Sequence, residues 1–169
     1  VLFLEPLVLR LRLAERRRHP HRRPRGPVLD PRPEYLDLLG GRLDTNSLFI
    51  ADRLAACGIE LRYKTTVGDD LSDIVAVLKT ALRRARVVIL TGGLGPTIDD
   101  LTREAVAQAT GHRLSRRKAA LDGMIARLVE WGRTPTTTQF RQAMIPARAE
   151  ILFNPVGTAP GFSLVWKGT

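Results

Sequence analysis

The run Val87-Val88-Ile89-Leu90-Thr91-Gly92-Gly93-Leu94-Gly95-Pro96-Thr97-Ile98-Asp99-Asp100 decides how the rest of this 169-residue chain is read. Its opening four residues form a short continuous apolar run, the signature of a parallel strand covered on both faces. Three glycines follow within four residues and let the backbone come close to a ligand. A helix is then predicted from about Asp100, closed near Gly111. Its N-terminus presents free N–H groups and a partial positive charge to the glycine loop. Thr97 and Thr102 add hydroxyl donors. The loop therefore suits a phosphate or another anion, although a tight turn with no ligand would need the same glycines. Two familiar phosphate motifs do not fit. Gly93-Leu94-Gly95 lacks the third glycine of a dinucleotide fingerprint, and no Gly-Lys-Ser/Thr follows for a P-loop.

The pattern continues on both sides of this stretch. Upstream, Asp44-Thr45-Asn46 supplies N-cap residues for an amphipathic helix carrying Leu48, Phe49, Ala51, Leu54 and Ala55, with Gly58 as its left-handed stop. Ile59, Leu61, Tyr63, Thr65 and Val67 alternate at period two and read as a strand. Gly68-Asp69-Asp70 turns the chain into a second helix with Ile74, Val75, Val77, Leu78, Ala81 and Leu82 inward. Downstream, a helix is expected from Ser115 to about Trp131. A short helix follows the polar stretch 133–138, and strands are expected at 151–153 and 162–165. Helices alternating with strands make an α/β three-layer α/β/α sandwich with a mostly parallel sheet. With aromatics at only 5%, its core must be built from Leu, Val, Ile and Ala.

Charge sets the first 37 residues apart as an Arg/Pro-rich segment preceding a domain at 38–169. Residues 1–40 hold nine of the 27 basic residues and six of the 11 prolines. Each proline removes a backbone donor and fixes φ, so the run from His19 to Pro27 cannot propagate a helix or join the middle of a sheet. Val1-Leu2-Phe3-Leu4 and Leu7-Val8-Leu9 form a candidate short strand. The positive charges follow that apolar run, unlike those of a signal peptide, and Arg10 ends it far short of a membrane span. A net charge of +10 invites a nucleic-acid reading. Residues 10–32 lack aromatic stacking groups, however, so a solvated tail is preferred and neither nucleic acid nor membrane is the expected partner. The one cysteine, Cys57, excludes an internal disulfide and agrees with a reducing compartment, hence a cytoplasmic location. Cys57 is expected buried, Trp131 a packing anchor and His112 a helix-end residue. Arg83, Arg84, Arg86, Arg116, Arg117 and Lys118 are expected on solvated helix surfaces. A homo-oligomer is left open.

In an open α/β sheet, ligands collect at the carboxyl ends of the strands. Asp99 and Asp100 stand beside the glycine loop, and Asp69 and Asp70 follow the 59–67 segment toward the same edge. Helix capping is sufficient to explain one of each pair. Carboxylates beside a phosphate repel it unless a divalent cation intervenes or one of them binds hydroxyls. Two acidic loops meeting a glycine loop read as a site for a small phosphorylated ligand with a metal. A third loop, Asn154 to Phe162, holds two prolines and two glycines. Its Asn154 and Thr158 offer hydrogen bonds, and a simple rigid connection is the alternative.

The stretch from Thr91 to Ala105 resembles the signature of the molybdopterin-binding MoaB/Mog superfamily. Leu-Gly-Pro-Thr followed by two aspartates is typical of its competence/damage-inducible protein A (CinA) branch. Asp44-Thr45-Asn46-Ser47, Thr65-Thr66-Val67-Gly68-Asp69-Asp70 and Asn154 to Phe162 match the same branch in order and spacing. The resemblance covers roughly 38–169 and implies a MoaB/Mog-like fold, incomplete at both ends, with a pocket for a nucleotide- or pterin-like ligand. By position it implies Asp69 and Asp100 as catalytic residues and ligands of a divalent metal. The ligand set it implies comprises Gly92, Gly93, Leu94, Gly95, Thr97, Asp99, Thr102, Asp44, Asn46, Asn154, Gly157 and Thr158. The activity it implies is metal-dependent hydrolysis of ADP-ribose or a related nucleoside diphosphate sugar, with molybdopterin as an alternative ligand. A binding module without turnover is the competing reading. The family's opening apolar strand and its Gly-Asp/Thr-Glu-Leu-Leu loop have no clear match before Leu38. The Arg/Pro-rich stretch there is either a genuine extension or a wrong reading frame. The chain stops before the Leu-Pro-Gly-Val-Pro segment that normally completes the pocket.

Overall fold

A computed structural model describes residues 44–166 and the backbone of 6–10, in two units: 44–66, and 67–166 with 6–10. The rest of the Arg/Pro-rich segment, the apolar start at 1–4 included, and the boundary at 37/38 lie outside the described residues.

In the 44–66 unit, α1 spans Thr45–Ala56. The Asp44 side chain accepts from the Ser47 N–H at 3.0 Å and pairs with Lys64 at 2.9 Å. Gly58 takes φ +71°, the left-handed stop foreseen. Cys57 is the C-cap of α1 and is exposed, which corrects its expected burial. The alternating segment after it has no ladder partner among the described residues, and Ile59, Leu61 and Tyr63 are each 46% exposed. Alternation makes a strand only where a sheet neighbour takes up the backbone groups. Among the described residues none does so here.

The larger unit begins with α2, Leu71–Arg84, capped by the Asp70 side chain, which accepts from the Asp73 N–H at 3.1 Å. Ile74, Val75, Leu78 and Leu82 are buried at helical spacing, as the pattern predicts. Strand β2, Val87–Thr91, pairs antiparallel with β1, Pro6–Arg10, in the register Pro6 opposite Thr91 and Arg10 opposite Val87. Helix α3, Thr102–Thr110, ends on Gly111 at φ +71°. The helix expected from Ser115 starts later. Leu114–Arg116 is strand β3, Arg117 is extended, and α4 runs Lys118–Glu130. Ser115 pairs instead with Ile145 of β4, Met144–Pro146, so its backbone groups go to a ladder and are not free to open a helix. Between α4 and β4 lies a 3-10 helix, Thr138–Ala143. Strands β5, Glu150–Leu152, and β6, Gly161–Ser163, form an antiparallel hairpin around the Asn154 loop.

The α/β class and its alternating elements are those read from the sequence. All three ladders among the described residues are antiparallel pairs, so a parallel sheet is not expressed in their hydrogen bonding. Strand β2 is half-buried rather than fully covered. The main core joins Leu78 and Leu82 of α2, Val106 of α3, Ala120 of α4, and Ile145, Phe162 and Leu164 from the C-terminal strands and the segment after them. Leu94 of the glycine loop is also fully buried in it, so the loop is nailed to the core by its own side chain. Burying one leucine contributes about 1.5–3 kcal/mol. Trp131 is the C-cap of α4, 44% exposed with the Arg133 guanidinium 5.6 Å from its ring, and not a packing anchor. Arg117 is half-buried and donates to the Ala149 carbonyl at 3.1 Å; Arg83, Arg84 and Lys118 are solvated on helices as expected, whereas Arg86, before β2, and Arg116, in β3, are solvated but lie off the helices.

Candidate functional site

The loop between β2 and α3 is built by its glycines and by what they leave room for. Gly92 and Gly93 both take left-handed φ, +86° and +67°. A side chain at Gly93 would also strike the Thr102 hydroxyl. That hydroxyl donates to the Gly92 carbonyl at 2.8 Å, and the Thr102 N–H donates to the Gly93 carbonyl at 3.2 Å. The first turn of α3 is thereby closed onto the end of β2. Gly95 has a different reason to be glycine. A Cβ there would lie 2.6 Å from Asp100 Oδ2.

Asp100 is the centre of this arrangement. Its Oδ2 accepts from the Thr97 N–H at 2.8 Å and the Thr97 hydroxyl at 2.6 Å, and the carboxylate also takes the Gly95 N–H. Partial burial pushes this carboxyl upward. The Thr97 side-chain and backbone bonds, the Gly95 N–H and the Arg103 charge together outweigh burial and hold it below the ordinary aspartate range. Capping of α3 by Asp99 or Asp100 is not what the structure holds. The N-cap of α3 is Leu101, with no side-chain cap bond, and Asp100 braces the preceding turn instead. Asp99 is exposed.

Two arginines that carried no role in the sequence reading secure the loop's carbonyls. Arg103, on α3, is fully buried and donates through Nη1 to the Leu94 carbonyl and through Nη2 to the Gly95 carbonyl at 2.8 Å. Arg141, on the 3-10 helix, donates to the Thr97 carbonyl at 2.7 Å and to Glu104 Oε1 at 3.2 Å. For Arg103 a sequence signal existed, because it sits between Thr102 and Ala105 in a buried stripe where a cation needs acceptors. Arg141 gave none. Its link to the loop spans 44 positions.

The other expected residues are placed as follows. Asp70, not Asp69, caps α2; its carboxyl is lowered by the Ser72 hydroxyl and the Asp73 N–H. Asp69 is exposed. Asn154 accepts from the Val156 and Gly157 N–H groups, each at 3.0 Å, and donates to the Ala159 carbonyl at 3.1 Å. Both ends of its amide therefore brace its own loop. A side chain at Gly157 would meet that amide at 2.6 Å. Thr158 is half-buried. Asp44 and Asn46 belong to the 44–66 unit, where Asp44 serves as the cap of α1. His112 follows the C-cap of α3, its Nδ1 3.0 Å from the Thr110 hydroxyl.

Among the described residues, no group of three or more His, Cys, Asp or Glu side chains is arranged to hold a metal ion. No described helix is long and apolar enough to cross a membrane.

Residues 34–167 match the family described as "Probable molybdopterin binding domain". A CinA-like protein of Geobacter metallireducens is 48% identical over 127 residues, covering 75% of this chain and 31% of the relative. Another, from Rippkaea orientalis, is 45% identical over 130 residues, 77% of this chain and 31% of that one. The chain thus spans about a third of the length of these relatives. Among solved structures, that of the protein CinA with unknown function from Thermoplasma acidophilum is similar. It has a TM-score of 0.63 and 33% identity, covering 74% of this chain and 73% of that one.

Proposed function

This chain belongs to the probable molybdopterin-binding domain family, in its CinA branch, and from that premise we propose that it binds the phosphate of a nucleotide- or pterin-like ligand at the Gly92–Thr97 loop. One observation supports this most directly: the loop already receives an anion. The Gly95 N–H, the Thr97 N–H and the Thr97 hydroxyl converge on a single carboxylate, that of Asp100. Donors that hold a carboxylate can hold a phosphate oxygen. A ligand phosphate would take the carboxylate's place, and Asp100 would then be released from the loop's donors. Asp99, Thr102, Asn154, Gly157 and Thr158, all of the larger unit, complete the proposed ligand set.

The finer proposal is cleavage of a nucleoside diphosphate sugar such as ADP-ribose, with Asp69 and Asp100 as the acting carboxylates. Its support is the match of the glycine loop and both acidic turns to the CinA pattern. A divalent ion supplies charge neutralisation and an activated water to such reactions. We assign it no step here, because in the free protein Asp100 is engaged by the loop's own donors. That same engagement favours a second reading, a binding domain without turnover.

Calorimetry with ADP-ribose, AMP and a pterin, beside ADP-ribose hydrolysis with and without divalent metal, tests both readings. Binding is expected for the wild type. Asp100→Ala is expected to bind at least as tightly, because it frees the donors and removes a negative charge, yet to lose hydrolysis. Equal hydrolysis in Asp100→Ala removes the catalytic role of Asp100. Binding without hydrolysis in the wild type selects the non-catalytic reading, and no binding of any of the three ligands refutes the proposal.

A further inference from the structure

Thr97 is held on every polar atom. Its N–H and hydroxyl go to Asp100, and its carbonyl accepts from the Asp100 N–H at 3.3 Å and from Arg141 at 2.7 Å. The other terminal nitrogen of Arg141 reaches Glu104 in the first turn of α3. The second oxygen of Glu104 is buried with no partner among the described residues. The Arg141 side chain is 35% exposed and that of Glu104 28%, so this is a partly buried fork across two acceptors rather than a loose surface pair. Arg103 treats Leu94 and Gly95 in the same way, and three loop carbonyls are thus each engaged by a guanidinium.

The consequence follows from the peptide plane. The C=O of one residue and the N–H of the next lie in one rigid plane and point in opposite directions. Fixing the Leu94 carbonyl on Arg103 aims the Gly95 N–H the other way, and that N–H goes to the Asp100 carboxylate. The Thr97 N–H lies in the preceding Pro96–Thr97 plane, so Arg141 acts on it one step further off: holding the Thr97 carbonyl fixes the Thr97–Ile98 plane and pins the residue whose N–H and hydroxyl go to Asp100. A carbonyl swung toward an anion would repel it, and the two guanidinia prevent that rotation.

We infer that Arg141 is a positioning residue of the anion loop: its fork from the 3-10 helix to Thr97 and Glu104 fixes the loop's donors before a ligand arrives. Arg141 acts through Thr97 and need not touch the ligand. The inference rests on the ligand reading above for its functional consequence alone; the geometry stands without it.

The test compares the full chain with Arg141→Ala, Arg141→Lys and the exposed control Arg116→Ala. Hydrogen exchange at the Thr97 amide is read without ligand, and the Kd for inorganic pyrophosphate is read by calorimetry. In Arg141→Ala both are expected to rise by about tenfold or more, the scale of one lost charged hydrogen bond. Millimolar methylguanidinium is expected to restore both, Arg141→Lys to recover part, and Arg116→Ala to change neither. A general loss of structure would raise exchange across β2, α2 and α3 together and would not respond to methylguanidinium. That pattern overturns the inference, as does Thr97 exchange in Arg141→Ala within about twofold of wild type, a difference too small for a lost charged bond. A wild-type chain that shows no pyrophosphate binding overturns the ligand reading instead. Thr97 exchange then still decides the role of Arg141.

Discussion

Gly95→Ala adds one methyl group, and the structure says where it goes: 2.6 Å from Asp100 Oδ2 and 3.0 Å from its Cγ and Oδ1. That is closer than real Cβ contacts come, so something must move. Asp100 is the terminal group in question, but it is held by the Thr97 N–H and hydroxyl. Moving it away surrenders those bonds. A hydrogen bond to a charged group contributes about 1.5–3 kcal/mol. Asp100 is only partly buried, so solvent takes over much of that, and about 2 kcal/mol for the pair is reasonable. Replacing glycine by alanine returns about 0.5 kcal/mol through the unfolded chain, because the Gly95 φ is not left-handed. The net expectation is a loss of about 1.5 kcal/mol, or a urea midpoint lower by about 0.7 M at an m-value near 2 kcal/mol/M. The double variant makes the reasoning exposed. If the methyl group acts by evicting Asp100, then Gly95→Ala added to Asp100→Ala should cost almost nothing further. Full additivity in that cycle, or an unchanged midpoint for Gly95→Ala alone, would falsify the account.

Three other outcomes follow from the same coordinates. The folded-state carboxyl of Asp100 lies below its unfolded value of 3.8, so its stabilisation is present above that value and fades as pH falls through the folded one. The urea midpoints of wild type and Asp100→Ala should therefore differ at pH 7 and draw together as pH falls below 3.8, and a gap that does not narrow on acidification would count against the bonding described. Leu94→Ala empties a fully buried site and should cost about 2–5 kcal/mol in urea unfolding; a cost near zero would mean the loop is not anchored in the core. Arg148 has φ +68° without being glycine, so Arg148→Gly should stabilise the turn between β4 and β5 by about 0.5 kcal/mol, read as a raised melting temperature, after the entropy cost of glycine is subtracted. A lowered melting temperature would show that the Arg148 side chain has a role its backbone does not reveal.

What the sequence made legible is what local patterns encode. The helices at 45–56, 71–84 and 102–110 announce themselves through Asp44, Asp70, Gly58 and Gly111 and through apolar residues at helical spacing. The Gly92–Thr97 loop was legible for the same reason, since φ above zero at Gly92 and Gly93 needs glycine. Where the reading slipped, a distant partner decided. Ser115 looks like a helix start until Ile145 claims its backbone. Strand β4 was unread because Met144-Ile145-Pro146 is too short to show a period. Arg141 and Glu104 stand 37 positions apart, and no spacing rule links them.

Asp100 shows why position alone leaves a role underdetermined. Beside a glycine loop an aspartate reads as an obstacle to phosphate, a metal ligand or a helix cap. The structure gives it another task, as the internal anion that fills the loop's own donors. The obstacle and the cradle are then one feature, because donors satisfied in the free protein lie in the right place for a bound one. An entering phosphate oxygen exchanges one anion for another and leaves neither the Gly95 nor the Thr97 N–H unpaired at either stage. The balance of that exchange is set by whatever fixes the donors. Arg103 and Arg141 fix them through the carbonyls, so the guanidinia, rather than the acidic residues, are where the loop's affinity for an anion should be adjustable without touching the groups that would perform chemistry.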